Sequence, residues 1–313
     1  MALPSSPNQL TINQIAGEFG GTVPHSLSEY YAGGGLTPSG TSGDSGAIPT
    51  SGEISIGQFY GSSNRVTINL TISSPVENYQ ISASRGGTYR SGITDTILTT
   101  SSQVSSTSVG TAALWTGPNA SWATGDTIRI VVSSSAIKGR GGDGGGGAGQ
   151  NDTQPSTSGQ PGGDAIEISF PTTLQNTATI RAGGGGGGGS AGGRTTTSPS
   201  PMKPPSGGST FIYGGGGGGG GAGDAINVGL GGAGGSDPDG GGQPGQDGGA
   251  ATGGAGGDTI GQQSPNGGDG GSPGNAGSAG QGGSPGGAAG KAIEDNGYTL
   301  TLQNSGTIQG ATT

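Results

Sequence analysis

Few side chains in this sequence are suited to acid–base, nucleophilic or metal chemistry. His25 is the single histidine and there is no cysteine. A Cys/His metal site and a thiolate nucleophile are therefore excluded. A Ser/His/Asp triad would have to be built on His25, in a loop-rich stretch. A phosphate cradle needs a glycine-rich loop ending in Gly-Lys-Ser/Thr, and none is present. Gly253-GAGGDTIG matches the calcium-binding nonapeptide pattern once, whereas those sites draw ligands from tandem copies. Glycan cleavage uses two carboxylates across a cleft, and no such pair can be proposed. Asp143, Asp164, Asp224, Asp258 and Asp269 border glycine runs, where they suit backbone N–H groups as hydrogen-bond acceptors. No catalytic residue, cofactor or metal is expected. An enzyme is the weakest reading.

The element that must position everything else is glycine. Of the 80 glycines, 59 fall between Gly139 and Gly290. Such composition usually marks a disordered linker, but three features oppose that. Glycine recurs every third residue at 268, 271, 274, 277, 280, 283 and 286, and again at 242, 245, 248 and at 139, 142, 145. A polyproline-II-type helix has 3 residues per turn and no internal hydrogen bonds, so its N–H and C=O groups can bond neighbouring helices. All-glycine runs such as Gly183–Gly189 would clear every edge of such a helix. Asp164-Ala165-Ile166, Asp224-Ala225-Ile226, Asp258-Thr259-Ile260 and Lys291-Ala292-Ile293 punctuate the runs. Finally, Ile130-VVSSSA-Ile137, Leu174-QNTAT-Ile180 and Leu302-QNSGT-Ile308 repeat one strand-like phrase. A collagen triple helix is disfavoured because the triplets break at Ala251 and Ala289.

Composition sets further bounds. The net charge is −9 and the pI about 4.3, which argues against nucleic acid. Only 26% of residues are hydrophobic, so a conventional core can form only in the N-terminal half. No apolar run approaches the ~20 residues of a membrane helix. Residues 1–10 lack a charged segment followed by an apolar run, so synthesis in a cytoplasm is expected.

Three parts are expected: an attachment module over 1–61, a β domain over 62–138 and the glycine array over 139–313. In the first, Ser26-LSEYYA-Gly33 and Ser55-IGQFY-Gly61 resemble each other. Ser26 and Ser55 are candidate N-caps of helices about two turns long, stopped by the glycines. Tyr30, Tyr31, Phe59 and Tyr60 either pack on each other or dock the module onto a partner or symmetry mate. In the second, Arg65-VTINLTI, Tyr79-QISAS, Thr96-ILTT and Thr127-IRIVV alternate, with turn signals at Gly86-Gly87, Gly117-Pro118 and Gly125-Asp126. A small antiparallel sheet or sandwich is expected, with Trp115 and Trp122 in packing roles. The overall class is mostly β and irregular, with little α-helix. Polar interruptions of the array, rich in Pro, Ser, Thr and Asn, read as loops on a rigid scaffold, where binding residues usually sit.

Two stretches together resemble structural proteins of tailed bacteriophages. HSLSEYYAGG, from His25, and SGEISIGQFYG, from Ser51, look like phrases that open many phage tail-fibre and neck or baseplate-linked proteins. The array, with its Ile-x-G punctuation, resembles receptor-binding adhesins built as a sandwich of polyglycine-II helices. The resemblance covers residues 13–61 and 128–310. It implies a virion protein that attaches by its N-terminus to phage baseplate or tail proteins. Loops at one tip would then bind a host-surface receptor, a glycan or an outer-membrane protein. By position the receptor-binding candidates are Arg194, Thr195, Thr196, Met202 and Lys203, with Asn151, Asp152, Gln154, Asp237, Asp239, Gln262 and Asn266. Tyr30, Tyr31, Phe59 and Tyr60 are candidate virion or oligomer contacts, and a homotrimer is expected. The alternatives are a structural baseplate or neck protein without a receptor, and a surface-binding polyglycine protein.

Overall fold

A computed structural model describes residues 2–149, 155–196, 210–223, 227–235, 241–258 and 265–313. Its main β structure is three five-stranded sheets, entered in turn as the chain advances. The first holds Val66–Ile72, Thr94–Thr100, Thr127–Val132, Thr172–Asn176 and Leu300–Asn304. The second holds Val76–Glu77, Val104–Ser105, Ala136–Lys138, Thr179–Arg181 and Thr307–Gln309. The third holds Tyr79–Gln80, Leu114–Trp115, Ile166–Glu167, Lys291–Glu294 and Ala311–Thr312. One strand from each sheet makes one coil, so the whole is a parallel β-helix. The mostly-β expectation holds, but the antiparallel sandwich does not. In the second sheet Val76, Val104, Ile137, Ile180 and Ile308 lie in register, every pairing parallel. In the third, Leu114, Ile166 and Ile293 do the same. Alternation puts one face inward whatever the strand direction, so it cannot tell a hairpin from a coil. Tyr79-QISAS is a strand only at Tyr79–Gln80, and Ile81–Ser84 turn helical.

The repeated phrases are the coils. Leu174 pairs with Leu302 and Asn176 with Asn304. Stacking like on like lets the asparagine amides bond up the axis: Asn176 Nδ2 donates to Asn304 Oδ1 at 2.8 Å. Leu174, Asn176 and Ile180 are fully buried.

The chain divides into two compact units, Met1–Leu70 with Arg85–Ile97 and Ala120–Arg129, and Thr71–Ser84 with Leu98–Asn119 and Ile130–Thr313. In the first, helix α1 spans Ile12–Phe19 and is closed by a capping box between Thr11 and Gln14. Sequence reading missed it, although Thr-x-x-Gln before an apolar turn is its signal. Its buried face brings Ile15 and Phe19 against Tyr30 and Phe59. Phe59 meets Phe19 and Tyr30 edge-on, with centroids 5.9 and 6.2 Å away. The helices expected after Ser26 and Ser55 are single 3-10 turns, Leu27–Tyr30 and Ile56–Phe59. Elsewhere in this unit Trp122 is buried, with Arg85 stacked over it and over Tyr89.

The second unit contains the glycine array. The chain leaves the β-helix after Lys138, returns at Ile166, leaves again after Arg181 and returns at Lys291. Between these points it runs through extended segments bonded mainly to one another, with bonds to the β-helix where they leave and rejoin it, as from Gly139 N to Arg181 O and from Ala182 N to Gln309 O. Segment 182–192 shows the rule. Gly183, Gly186 and Gly189 donate to Gly163, Gln160 and Thr157. Gly184, Gly187 and Ser190 donate to Ala222, Gly219 and Gly216. Gly185, Gly188 and Ala191 donate to Asn275, Ser278 and Gln281. Residues three apart serve the same neighbour and consecutive residues serve different ones, which is the polyglycine-II pattern expected from the period of three.

These bonds arrange the segments in three layers. One layer holds 155–163, 139–149 and 227–235. The middle holds 283–290, 182–192, 214–223 and 241–249. The third holds 275–281, 265–272 and 253–258. Segments 182–192 and 214–223 are surrounded on all sides, and they carry the two longest all-glycine runs. At Gly186 an added Cβ would land on the carbonyl of Asp143, and at Gly219 on that of Gly254. Outer segments have a free edge and admit side chains there. The triplets from Gly268 to Gly286 belong to three segments, reversed at Gly274 (φ 74°) and Gly282 (φ 61°), where left-handed backbone favours glycine.

Aspartates tie the outer segments. Asp143 Oδ1 accepts from Leu230 N at 2.9 Å, Asp269 Oδ1 from Gly256 N at 2.8 Å and Asp164 Oδ1 from Lys291 N at 2.6 Å. Asp247, not singled out in the sequence, does the same for Gly231 N at 2.8 Å. Asp224 lies outside the described residues.

One carboxylate group sits where the array rejoins the β-helix. Glu167 is stacked on Glu294 in parallel register. Its neighbours are Asp164, Lys291, which is ion-paired to Glu294, and Asn296, whose Nδ2 donates to Glu167 Oε1 at 3.3 Å. Burial, with the nearby acids adding to it, holds the Asp164 and Glu167 carboxyls above their ordinary range. Such a group binds its proton more readily folded than unfolded. Its contribution therefore favours folding at low pH and is lost as pH rises through the raised value. Glu167→Gln is expected to stabilise the chain at pH 7 by about 0.2–1 kcal/mol, the cost of like charges directly opposite each other. Melts of both forms from pH 7 down to pH 4 check this, and the gap should close on acidification.

Candidate functional site

The array has two ends, and hydrogen-bond register assigns every connection to one of them. Segment 139–149 runs parallel to 182–192, as Gly142, Gly145 and Ala148 donate to Gly184, Gly187 and Ser190 at 2.8–2.9 Å. Both start at the β-helix, where Gly139 N donates to Arg181 O at 2.9 Å. Segments 155–163 and 214–223 run the opposite way, since Thr157 and Gly216 lie beside Gly189 and Ser190. The outer segments alternate likewise. At the end away from the β-helix, Gly215 bonds Ala148, Gly235 bonds Gly215, Gly242 bonds Gly235, Gln243 bonds Asp258 and Ala191 bonds Gln281.

The described residues on either side of each polar interruption lie at that distal end. Residues 150–154 lie between 149 and 155, 236–240 between 235 and 241, and 259–264 between 258 and 265. The longest is carried on a hairpin, in which Gly193–Thr196 pairs antiparallel with Thr210–Tyr213. The hairpin continues the two innermost segments, 182–192 and 214–223. Sequence reading placed Arg194, Thr195 and Thr196 in a loop. They are the first strand of this hairpin, paired with Ile212, Phe211 and Thr210. The second strand was missed, although Thr-Phe-Ile-Tyr has the β-branched and aromatic residues of one.

Of the other receptor-binding candidates, Asn266 is exposed at the same end, and its N–H donates to Gln281 Oε1 at 3.3 Å. Asn151, Asp152, Gln154, Met202, Lys203, Asp237, Asp239 and Gln262 lie outside the described residues. The described residues contain no group of three or more His, Cys, Asp or Glu able to hold a metal. None of their helices is long and apolar enough to cross a membrane.

The aromatic contact candidates divide. Tyr30 and Phe59 are fully buried in the core of the first unit, so they cannot reach a partner. They pack on each other because Ile15 and Phe19 complete a core that residues 26–33 and 55–61 could not close alone. Tyr31 and Tyr60 stay half-exposed. On the same unit Val23 stands 79% exposed, the most exposed large apolar side chain among the described residues.

The family profile of the phage tail fibre adhesin Gp38 matches residues 65–313. No curated protein matches the chain. Among solved structures, the chain is similar to the gp37–gp38 adhesin tip complex of the bacteriophage S16 long tail fibre. The identity is 25%, over 84% of this chain and 88% of that one, with a TM-score of 0.48.

Proposed function

The chain belongs to the family of phage tail fibre adhesins Gp38, and on that premise we propose that it recognises a host-cell surface through the distal end of its glycine array. The observation that carries this reading is the convergence of the polar interruptions. Their attachment points share one end of a backbone-bonded stack, with the β-helix at the other. Glycine supplies stiffness without side chains, and the positions free to vary are gathered where glycine stops. Several copies on one particle would multiply a weak single contact.

The role is adhesion without catalysis. Residues 1–61 are the proposed attachment module, and the strands within 62–138 belong to the first three coils of the β-helix. Tyr31, Tyr60 and Val23 are the exposed groups suited to meet a tail or baseplate protein. One chain supplies the module's aromatic core, so the reading needs no trimer.

The test is to replace residues 197–209 by a short Gly-Ser turn between Thr196 and Thr210. Particles carrying this chain are expected to assemble normally and to adsorb at least about tenfold more slowly, a loss of roughly 1.4 kcal/mol in contact free energy. Unchanged adsorption would assign the loop a structural role instead.

A further inference from the structure

The third layer of the array carries a groove of about 420 Å³ on its outer face. Gln246, Asp258, Asn266, Asp269, Ser278 and Gln281 line it. Its frame is fixed from within. Asp269 Oδ1 accepts from Gly256 N at 2.8 Å, Ser278 Oγ from Asp269 N at 2.7 Å and Gln281 Oε1 from Asn266 N at 3.3 Å. Each bond uses one atom of its side chain, and Asp269 Oδ2 and Gln281 Nε2 make no hydrogen bond among the described residues. The side chains of Gln246, Asp258 and Asn266 make no hydrogen bond among the described residues.

We propose that this groove is a subsite for an uncharged saccharide of the receptor. The proposal rests on the distal end being the receptor-binding end, and it names the chemistry met there. Carboxylates accept from adjacent hydroxyls, while amides both donate and accept, which matches the mixed capacity of a sugar ring. No cationic side chain among the described residues lines the groove, and the chain carries a net charge of −9. Phosphorylated or acidic sugars are disfavoured on both counts. Among the described residues its apolar lining is Ala255 and Ala279. The volume lies in the range of small-molecule sites, about 300–1,000 Å³.

The experiment is a saturation-transfer NMR titration of the full chain with maltotriose, lactose and chitotriose, and with glucose 6-phosphate as the charged comparator. At least one neutral sugar is expected to saturate, and glucose 6-phosphate not to compete. Asp258→Ala combined with Asn266→Ala should weaken binding about tenfold with an unchanged melting midpoint, as both side chains are exposed. The 197–209 replacement should bind sugar like the parent chain. Three results would overturn the proposal: no neutral sugar saturates, the double variant binds unchanged, or calcium chloride alone displaces the sugar. If sugar binds as expected while the 197–209 replacement leaves adsorption intact, the loop assignment fails and the saccharide site stands.

Discussion

Gly186→Ala is expected to collapse the glycine array, whereas Gly146→Ala is expected to be neutral or stabilising. Both are glycines in extended segments, and neither has the left-handed backbone that favours glycine. Gly186 lies in an inner segment. Its N–H donates to Gln160 O at 2.9 Å and its carbonyl accepts from Gly287 N at 2.7 Å. A Cβ there would overlap the Asp143 carbonyl oxygen. The neighbour is backbone, itself bonded to other segments, so it cannot rotate away. Overpacking costs about 1–3 kcal/mol or more, and each backbone bond lost adds about 0.5–1.5. A destabilisation of about 3 kcal/mol or more follows. Gly146 lies in an outer segment, where an added Cβ meets Thr157 Oγ1 at 3.6 Å and Ala233 O at 3.7 Å, ordinary contacts. Alanine there restricts the unfolded chain and is expected to add about 0.4–1 kcal/mol. Urea unfolding of the full chain reads both. Equal effects would mean that the two segments are not inner and outer.

Leu174→Ala and Leu302→Ala are expected to differ by several-fold, although both begin the same phrase, Leu-Gln-Asn. Leu174 is fully buried between neighbouring coils of the β-helix, whereas Leu302, in the last strand of its sheet, is 39% exposed. Truncating a buried leucine costs about 2–5 kcal/mol. At Leu302 part of the side chain already meets water, and about 1 kcal/mol or less is expected. Thermal melts distinguish the two, and similar losses would contradict the stacking order.

Much of this was legible in the sequence, and the failures have physical causes. The period of three and the all-glycine runs pointed to close-packed extended helices because only glycine satisfies a backbone enclosed on every side. The recurrence of Ile137, Ile180 and Ile308 marked a real register. The direction of pairing was misread although the phrases held a clue: identical residues stack on themselves in parallel coils, whereas a hairpin opposes different ones. Asp-Ala-Ile and Lys-Ala-Ile looked like punctuation of the array, yet Ile166 and Ile293 are strands of the β-helix to which it returns. The two aromatic phrases alone do not decide between packing and docking for Tyr30 and Phe59, because the rest of their core, Ile15 and Phe19, lies on helix α1. The meeting of the interruptions at one end depends on which segments run parallel, and that lies in long-range hydrogen bonds that no local pattern encodes.

The most direct measurement is competition for host cells by the purified chain. Added in excess, the parent chain should block particle adsorption. A chain with residues 150–154, 197–209, 236–240 and 259–264 all replaced by Gly-Ser turns should unfold at the same midpoint and fail to block. Full blocking by that folded variant would place recognition elsewhere on the molecule and contradict the account.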